Sequence, residues 1–187
     1  LWGMRKFITE AEFAAMLAAT HGQRHPARDR LLLLCLYRHG LRVSEARALR
    51  MWSVDRAAGT LFVERLKGGL SGLHPLGEDV AQALEACIDQ GLVTPPSGPL
   101  FVSERGTVLS RQQIHYLCRR YGQIAGLAVP VHPHMLRHGC GHALAERGKD
   151  TRLIQVYLGH ASIQSTTIYT ELSARRMRSI WAVEMGG

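Results

Sequence analysis

The chain has no hydrophobic run long enough to cross a bilayer. Its densest apolar stretch, Leu31–Tyr37, falls far short of the ~20 residues a spanning helix needs. No charged-then-apolar leader opens it, which makes the cytoplasm the expected location. No Cys-x-x-Cys pair occurs either. Cys35, Cys87, Cys118 and Cys140 stand apart in apolar or small-residue helical contexts, a pattern of reduced, buried thiols rather than of disulfides or a zinc site. Internal repeats and low-complexity tracts are absent. An apolar content of 46% with 20% charged residues excludes disorder over most of the length. A chain of 187 residues is one domain, able to bury roughly 70% of the surface its unfolded form exposes.

Acidic residues are few against basic ones. Lys and Arg number 23 and Asp and Glu 15, a net charge of +8, with ten His besides. A small domain this basic commonly meets polyanions, nucleic acid first. An anionic membrane fits less well, because no helix pairs a Lys-rich face with a Trp/Phe/Leu face.

The local patterns predict a mainly α domain with a small β-hairpin or sheet insertion. Thr9 with Glu12 forms a capping box that opens a helix running to about Ala19. A second helix starts near Pro26, carries the leucine run and stops at Gly40. Ser44–Leu49 restarts a short one. Thr60–Glu64 and Leu73–Leu76 read as two strands around the turn material Lys67-Gly68-Gly69. Helices follow over Glu78–Gln90, Ser110–Ala125, His134–Arg147 and Asp150–Leu158, with a last one from about Ser173 to Glu184. Thr94–Pro99 is loop on composition.

The segment His132-Pro133-His134-Met135-Leu136-Arg137-His138-Gly139-Cys140-Gly141-His142 is the densest in chemistry. On a helix His134, Arg137, His138 and Gly141 share one face, while Leu136, Cys140, Ala143 and Leu144 form the opposing apolar stripe. Gly139 and Gly141 each cost about 1 kcal/mol in helix propensity, and Gly141 would leave the His/Arg face open to a large ligand. The i, i+4, i+8 spacing of His134, His138 and His142 also admits a zinc site. Against it stand an Arg on the same face and the lack of any Asp or Glu among these histidines, the first acid after them being Glu146.

Downstream, His160 follows a helix-ending Gly159, and Tyr169 comes nine residues later after a Ser/Thr-rich link. Tyr37, Tyr116, Tyr121 and Tyr157 lie in apolar helical runs and read as packing residues. Arg42 stands at a helix junction within Gly40-Leu41-Arg42-Val43-Ser44-Glu45, and Lys67 at the hairpin turn. Singly, each admits a bland reading as a solvated charge. Together they supply what metal-free phosphodiester transfer needs. Two guanidiniums can grip non-bridging oxygens, and two imidazoles and an ammonium can move protons. A phenol becomes nucleophilic when cations stabilise its oxyanion.

This ordered set resembles the catalytic signature of the tyrosine recombinases, the phage integrase family, from about Thr9 to about Leu172. The stretches Arg65–Leu76, Leu109–Gln113, His132–His138 and Asp150–Gln155 are most similar to the small invertases that flip promoter elements in fimbrial phase variation. The resemblance implies the family's catalytic-domain fold over 9–187, after a short extension at 1–8. It implies that Arg42 and Arg137 grip the scissile phosphate and that Tyr169 attacks it to form a 3′-phosphotyrosine. Lys67 would protonate the leaving 5′-hydroxyl, His134 would act as general acid/base toward the tyrosine, and His160 would hydrogen-bond the phosphate. Glu45 and His138 would support this machinery. No metal, ATP or other cofactor is then expected, because the covalent link conserves the phosphodiester. The implied partner is double-stranded DNA with inverted-repeat sites, bound by a homo-tetramer that is a monomer without DNA. A C-terminal helix at about 173–185 would be exchanged between neighbours or packed on its own core. Most of the family carries a separate N-terminal domain ahead of this one. An isolated catalytic domain and a short, single-domain invertase both remain open.

Overall fold

The computed structural model describes residues 5–65, 69, 71–92 and 94–160. Helix α1 (Glu10–Ala18) begins where the capping box predicts: the Thr9 hydroxyl accepts from the Glu12 N–H, and the Glu12 carboxylate accepts from the Thr9 N–H. It buries Phe13 and Met16. Helix α2 (Pro26–Arg38) buries every residue from Leu31 to Tyr37. A helix that is apolar all round must be enclosed, and α1, α4 (Glu78–Asp89) and α6 (Pro133–Glu146) contribute to the core around it. The Phe13 and Tyr37 rings stack at 4.0 Å between α1 and α2.

Gly40 ends α2 with φ +59, and a Cβ there would lie 2.3 Å from the Leu158 side chain. Both the left-handed turn and the close approach therefore require glycine. The chain turns at once into α3 (Val43–Ala48), a 3₁₀ turn at Met51–Ser53, and a three-stranded antiparallel sheet. Its strands are β1 (Val54–Asp55), β2 (Thr60–Val63) and β3 (Gly72–Pro75), in that order. The β2–β3 hairpin matches the sequence pattern. Strand β1 was not foreseen, since two residues are too few to show an alternation. Leu61 and Val63 face the core, and Leu61 sits opposite His74.

Helix α5 (Arg111–Ile124) has the second capping box, Ser110 with Gln113. Helix α7 (Thr151–Leu158) starts on the Asp150 carboxylate and ends at left-handed Gly159. A smaller buried cluster of Cys140, Ala145, Ile154 and Leu158 joins α6 to α7. All four cysteines are free and buried. Burial pushes their thiols up, Cys87 to about 11 and Cys140 to about 12, so they stay protonated and inert at neutral pH.

One expectation changes. Tyr116 is 59% exposed rather than packed, on the outer side of α5. Gly139 permits close helix packing, since a Cβ there would meet the Ile8 carbonyl oxygen at 2.5 Å and the Tyr37 ring at 2.7 Å. The expected final helix, about 173–185, lies outside the described residues. Among the described residues no helix is long and apolar enough to cross a membrane.

Candidate active site

The site is organised by one buried carboxylate. Arg42 is the extended residue before α3, and Glu45 lies one turn into that helix. Glu45 accepts from the Arg42 N–H at 2.8 Å and from Arg42 Nη1 at 2.9 Å. The guanidinium is thereby held at the surface, its side chain 36% exposed over a carboxylate that is 1% exposed. Among the described residues, Arg42 Nη2 and Nε have no hydrogen-bond partner, so they can meet an incoming oxyanion.

Arg137 approaches the same carboxylate from α6, with Nη1 3.8 Å from Glu45 Oε2. Unlike Arg42 it is buried. Nη1 donates to the Gly40 carbonyl, and Nη2 donates to the Leu158 carbonyl at 2.7 Å. Those carbonyls belong to the ends of α2 and α7, where terminal C=O groups lack partners within their helices. Arg137 thus joins three helices at the point where Arg42 emerges.

A third guanidinium, that of Arg65, was given no role by the sequence reading. Nη1 donates to Glu45 Oε2 at 2.5 Å, and Nη2 to the Tyr157 carbonyl at 2.6 Å. The strand alternation that turns Leu61 and Val63 inward continues to position 65, and that was the available signal. Three cations share one carboxylate, which leaves two positive charges in excess for an anionic ligand.

The imidazoles lie around these guanidiniums. His160, just past Gly159, donates its backbone N–H to the Gln155 carbonyl, and Gln155 Nε2 donates to the His160 carbonyl. Burial, and then the charges of Arg137 and Arg42, pull the His160 imidazole down to about 4. His134 is exposed at the start of α6, and its imidazole is lowered by desolvation, then by His132, Arg137, His115 and Arg42. His138, half-buried on the next turn, falls to about 4, first from burial and then from His134 and Arg137. At neutral pH these rings are uncharged, each offering one donor and one acceptor nitrogen. His142 faces elsewhere, stacked on Phe7 at 3.8 Å. Among the described residues no group of three or more His, Cys, Asp or Glu is placed to hold a metal ion.

The fold therefore brings together Arg42, Glu45, His134, Arg137, His138 and His160 from stretches more than a hundred residues apart. Lys67 and Tyr169 lie outside the described residues.

The phage integrase family matches residues 6–176 of this chain. The protein belongs to that family. This recombinase is 42% identical over 180 residues to the type 1 fimbriae regulatory protein FimE of Escherichia coli K12, covering 95% of this chain and 91% of that protein. FimB of the same organism is 42% identical over 179 residues, with 95% and 90% covered. The tyrosine recombinase XerD of Ralstonia nicotianae is 36% identical over 182 residues, which is 95% of this chain and 59% of XerD. Among solved structures, XerA recombinase superposes with a TM-score of 0.81 at 28% identity, over 99% of this chain and 65% of that one. The chain is accordingly a tyrosine-type site-specific DNA recombinase, with the mainly helical catalytic-domain fold of that family.

Proposed function

We propose that this recombinase inverts or integrates a DNA segment by using Tyr169 as the nucleophile and the Arg42–Arg137 pair as the phosphate clamp. The observation that carries the reading is the Glu45 cluster. Guanidiniums from α3 and α6 converge on one carboxylate beside neutral His134 and His160, with positive charge in excess.

A scissile phosphate over Arg42 meets donors that cannot lose their charge. As phosphorus becomes pentacoordinate, charge builds on the non-bridging oxygens, and cations fixed in advance stabilise it without reorganising. The Tyr169 oxygen forms the new P–O bond and its proton passes to neutral His134. The bond to O5′ breaks, and the Lys67 ammonium supplies the proton that makes the 5′-hydroxyl. His160, uncharged, donates one hydrogen bond to the phosphate. The 5′-hydroxyl of a partner strand then attacks the phosphotyrosine and regenerates both tyrosine and phosphodiester. The number of phosphodiesters is unchanged, so the cycle needs no ATP.

The partner on this reading is double-stranded DNA carrying inverted repeats, bound by a homo-tetramer assembled on two sites. Covalent capture tests it. The protein is incubated, in EDTA, with nicked duplexes made from any inverted repeats found around a promoter next to its gene, and the adduct is resolved on a denaturing gel. Wild-type protein yields an adduct and Tyr169→Phe yields none. An adduct that survives Tyr169→Phe would mean a different nucleophile, and salt-sensitive binding without any adduct would mean a DNA-binding regulator that lacks the chemistry.

A further inference from the structure

Arg65 follows strand β2 by two residues and heads into a Gly-rich turn, a position where a charged side chain ordinarily points to water. Here its side chain has 0% exposure. The surrounding chain is shaped to admit it. A Cβ on Gly159 would lie 2.7 Å from Arg65 Nε and 2.8 Å from Cδ, and one on Gly69 would lie 2.9 Å from Arg65 Cβ. Its own N–H is anchored across the hairpin on Ser71 Oγ at 2.9 Å.

The guanidinium spans two acceptors on different elements, the Glu45 carboxylate of α3 and the Tyr157 carbonyl near the end of α7. Tyr157 is gripped twice more. Its ring stacks on His74 of β3 at 4.1 Å, and its hydroxyl donates to the Arg38 carbonyl at 2.8 Å. The next residue, Leu158, accepts from Arg137, and His160 follows two positions on. The hairpin base is thus bonded to the carboxylate that holds Arg42 and to the segment that leads from Arg137 to His160.

Packing alone does not call for this. A buried ion pair commonly contributes no more stability than apolar side chains of the same volume, because desolvation offsets the attraction. A guanidinium's fork, in contrast, fixes two acceptors at a set distance and angle. We propose that Arg65 is a positioning residue for strand cleavage, locking the hairpin, Glu45 and the end of α7 into one frame so that Arg42, Arg137 and His160 meet the phosphate in register. This rests on the recombinase reading above, and it assigns Arg65 no contact with DNA.

The test is Arg65→Lys in the full chain. An ammonium keeps the charge but cannot hold both acceptors. Cleavage of a pre-bound nicked site is expected to slow by about 10²-fold, the usual cost of a misplacement near 1 Å. Equilibrium DNA affinity should stay within about twofold, since the loss falls on the chemical step and not on binding. If Arg65 acts through Glu45, adding Arg65→Lys to Glu45→Gln should slow cleavage by less than about threefold further. Wild-type cleavage rates in Arg65→Lys, a parallel loss of affinity, or full additivity with Glu45→Gln would each overturn the assignment. Should Arg65→Lys not fold, Arg65→Gln, neutral and still a donor, is read by its cleavage rate on pre-bound DNA and by its additivity with Glu45→Gln, its affinity being set aside because a charge is lost; failure of both to fold would make Arg65 a structural residue only. If wild-type protein itself formed no adduct, the recombinase reading would be what fails.

Discussion

Arg42 and Glu45 are bonded twice within one helical turn, through the Arg42 N–H and through its Nη1. The same side chain that caps α3 therefore aims the guanidinium. Glu45 is also the sole carboxylate among the described residues within 4 Å of Arg65 and Arg137. Glu45→Gln should then remove the common counter-charge of three cations. Leaving a buried charge uncompensated costs about 3–5 kcal/mol, and Arg65 and Arg137 are both shielded from water. Urea unfolding should show a loss of that order in free protein. The loss should be smaller when DNA is bound, because a phosphate supplies part of the missing negative charge. An equal loss with and without DNA would argue against a phosphate at this point.

Arg137→Lys separates the structural from the catalytic use of a guanidinium. Arg137 donates to the Gly40 and Leu158 carbonyls from two different nitrogens, and one ammonium cannot serve both positions. Leaving a buried carbonyl unsatisfied costs about 1–3 kcal/mol. Loss of a preorganised donor slows chemistry by about 10²–10³-fold. Arg137→Lys is expected to lose on both counts, measured by unfolding and by adduct formation. Arg42→Lys, half-exposed, should lose mainly on the second.

Glycine substitutions discriminate a strained turn from a crowded one. Gly22 and Gly40 both have positive φ, +70 and +59. Nothing lies within 4 Å of a Cβ on Gly22, whereas one on Gly40 lies 2.3 Å from Leu158 Cδ2. Gly22→Ala should therefore cost only the left-handed backbone penalty, about 1–2 kcal/mol. Gly40→Ala should cost clearly more and should also slow cleavage, since Gly40 carries the carbonyl that Arg137 holds. Equal thermal shifts for the two would contradict this packing.

The legible parts of this molecule were those decided locally. The capping box at Thr9, the helix start at Ser110, the leucines of α2 and the stop at Gly40 follow from short-range chemistry, and they fall where the sequence patterns place them. Arg42, Glu45, Arg137, His134 and His160 were legible as a set because their order along the chain resembles a family signature. What escaped notice depends on partners far away in sequence. Arg65 is buried by Glu45, 20 residues distant, and by Tyr157, 92 residues distant. Tyr116 belongs to a helix whose apolar stripe runs through Ile114, Leu117, Cys118 and Tyr121, so its own position turns outward although its neighbours suggest packing.

The same limit applies to His39 and His74, which meet between the end of α2 and β3 with ring centroids 5.5 Å apart. Both His39 nitrogens and His74 Nδ1 are buried without a hydrogen-bond partner among the described residues. Burial lowers His39 to about 4, with Asp79 opposing and Arg65 and Arg38 assisting. Burial, then His39 and Arg65, lowers His74 to about 3. Folded-state values below the ordinary 6.5 mean that the unfolded chain takes up protons the folded one refuses. Stability is thus fully present above about pH 6.5 and falls as the pH drops toward 4. For His39 that shift corresponds to roughly 3 kcal/mol. His39→Leu removes an imidazole whose polar atoms are unsatisfied, so at pH 7 it should leave the melting temperature unchanged or raise it. It should also make the decline between pH 6.5 and 4 shallower, leaving the part due to His74, His138 and His160. A variant that melts lower at pH 7, with an acid limb as steep as wild type, would show that His39 is hydrogen-bonded or charged in the folded protein after all.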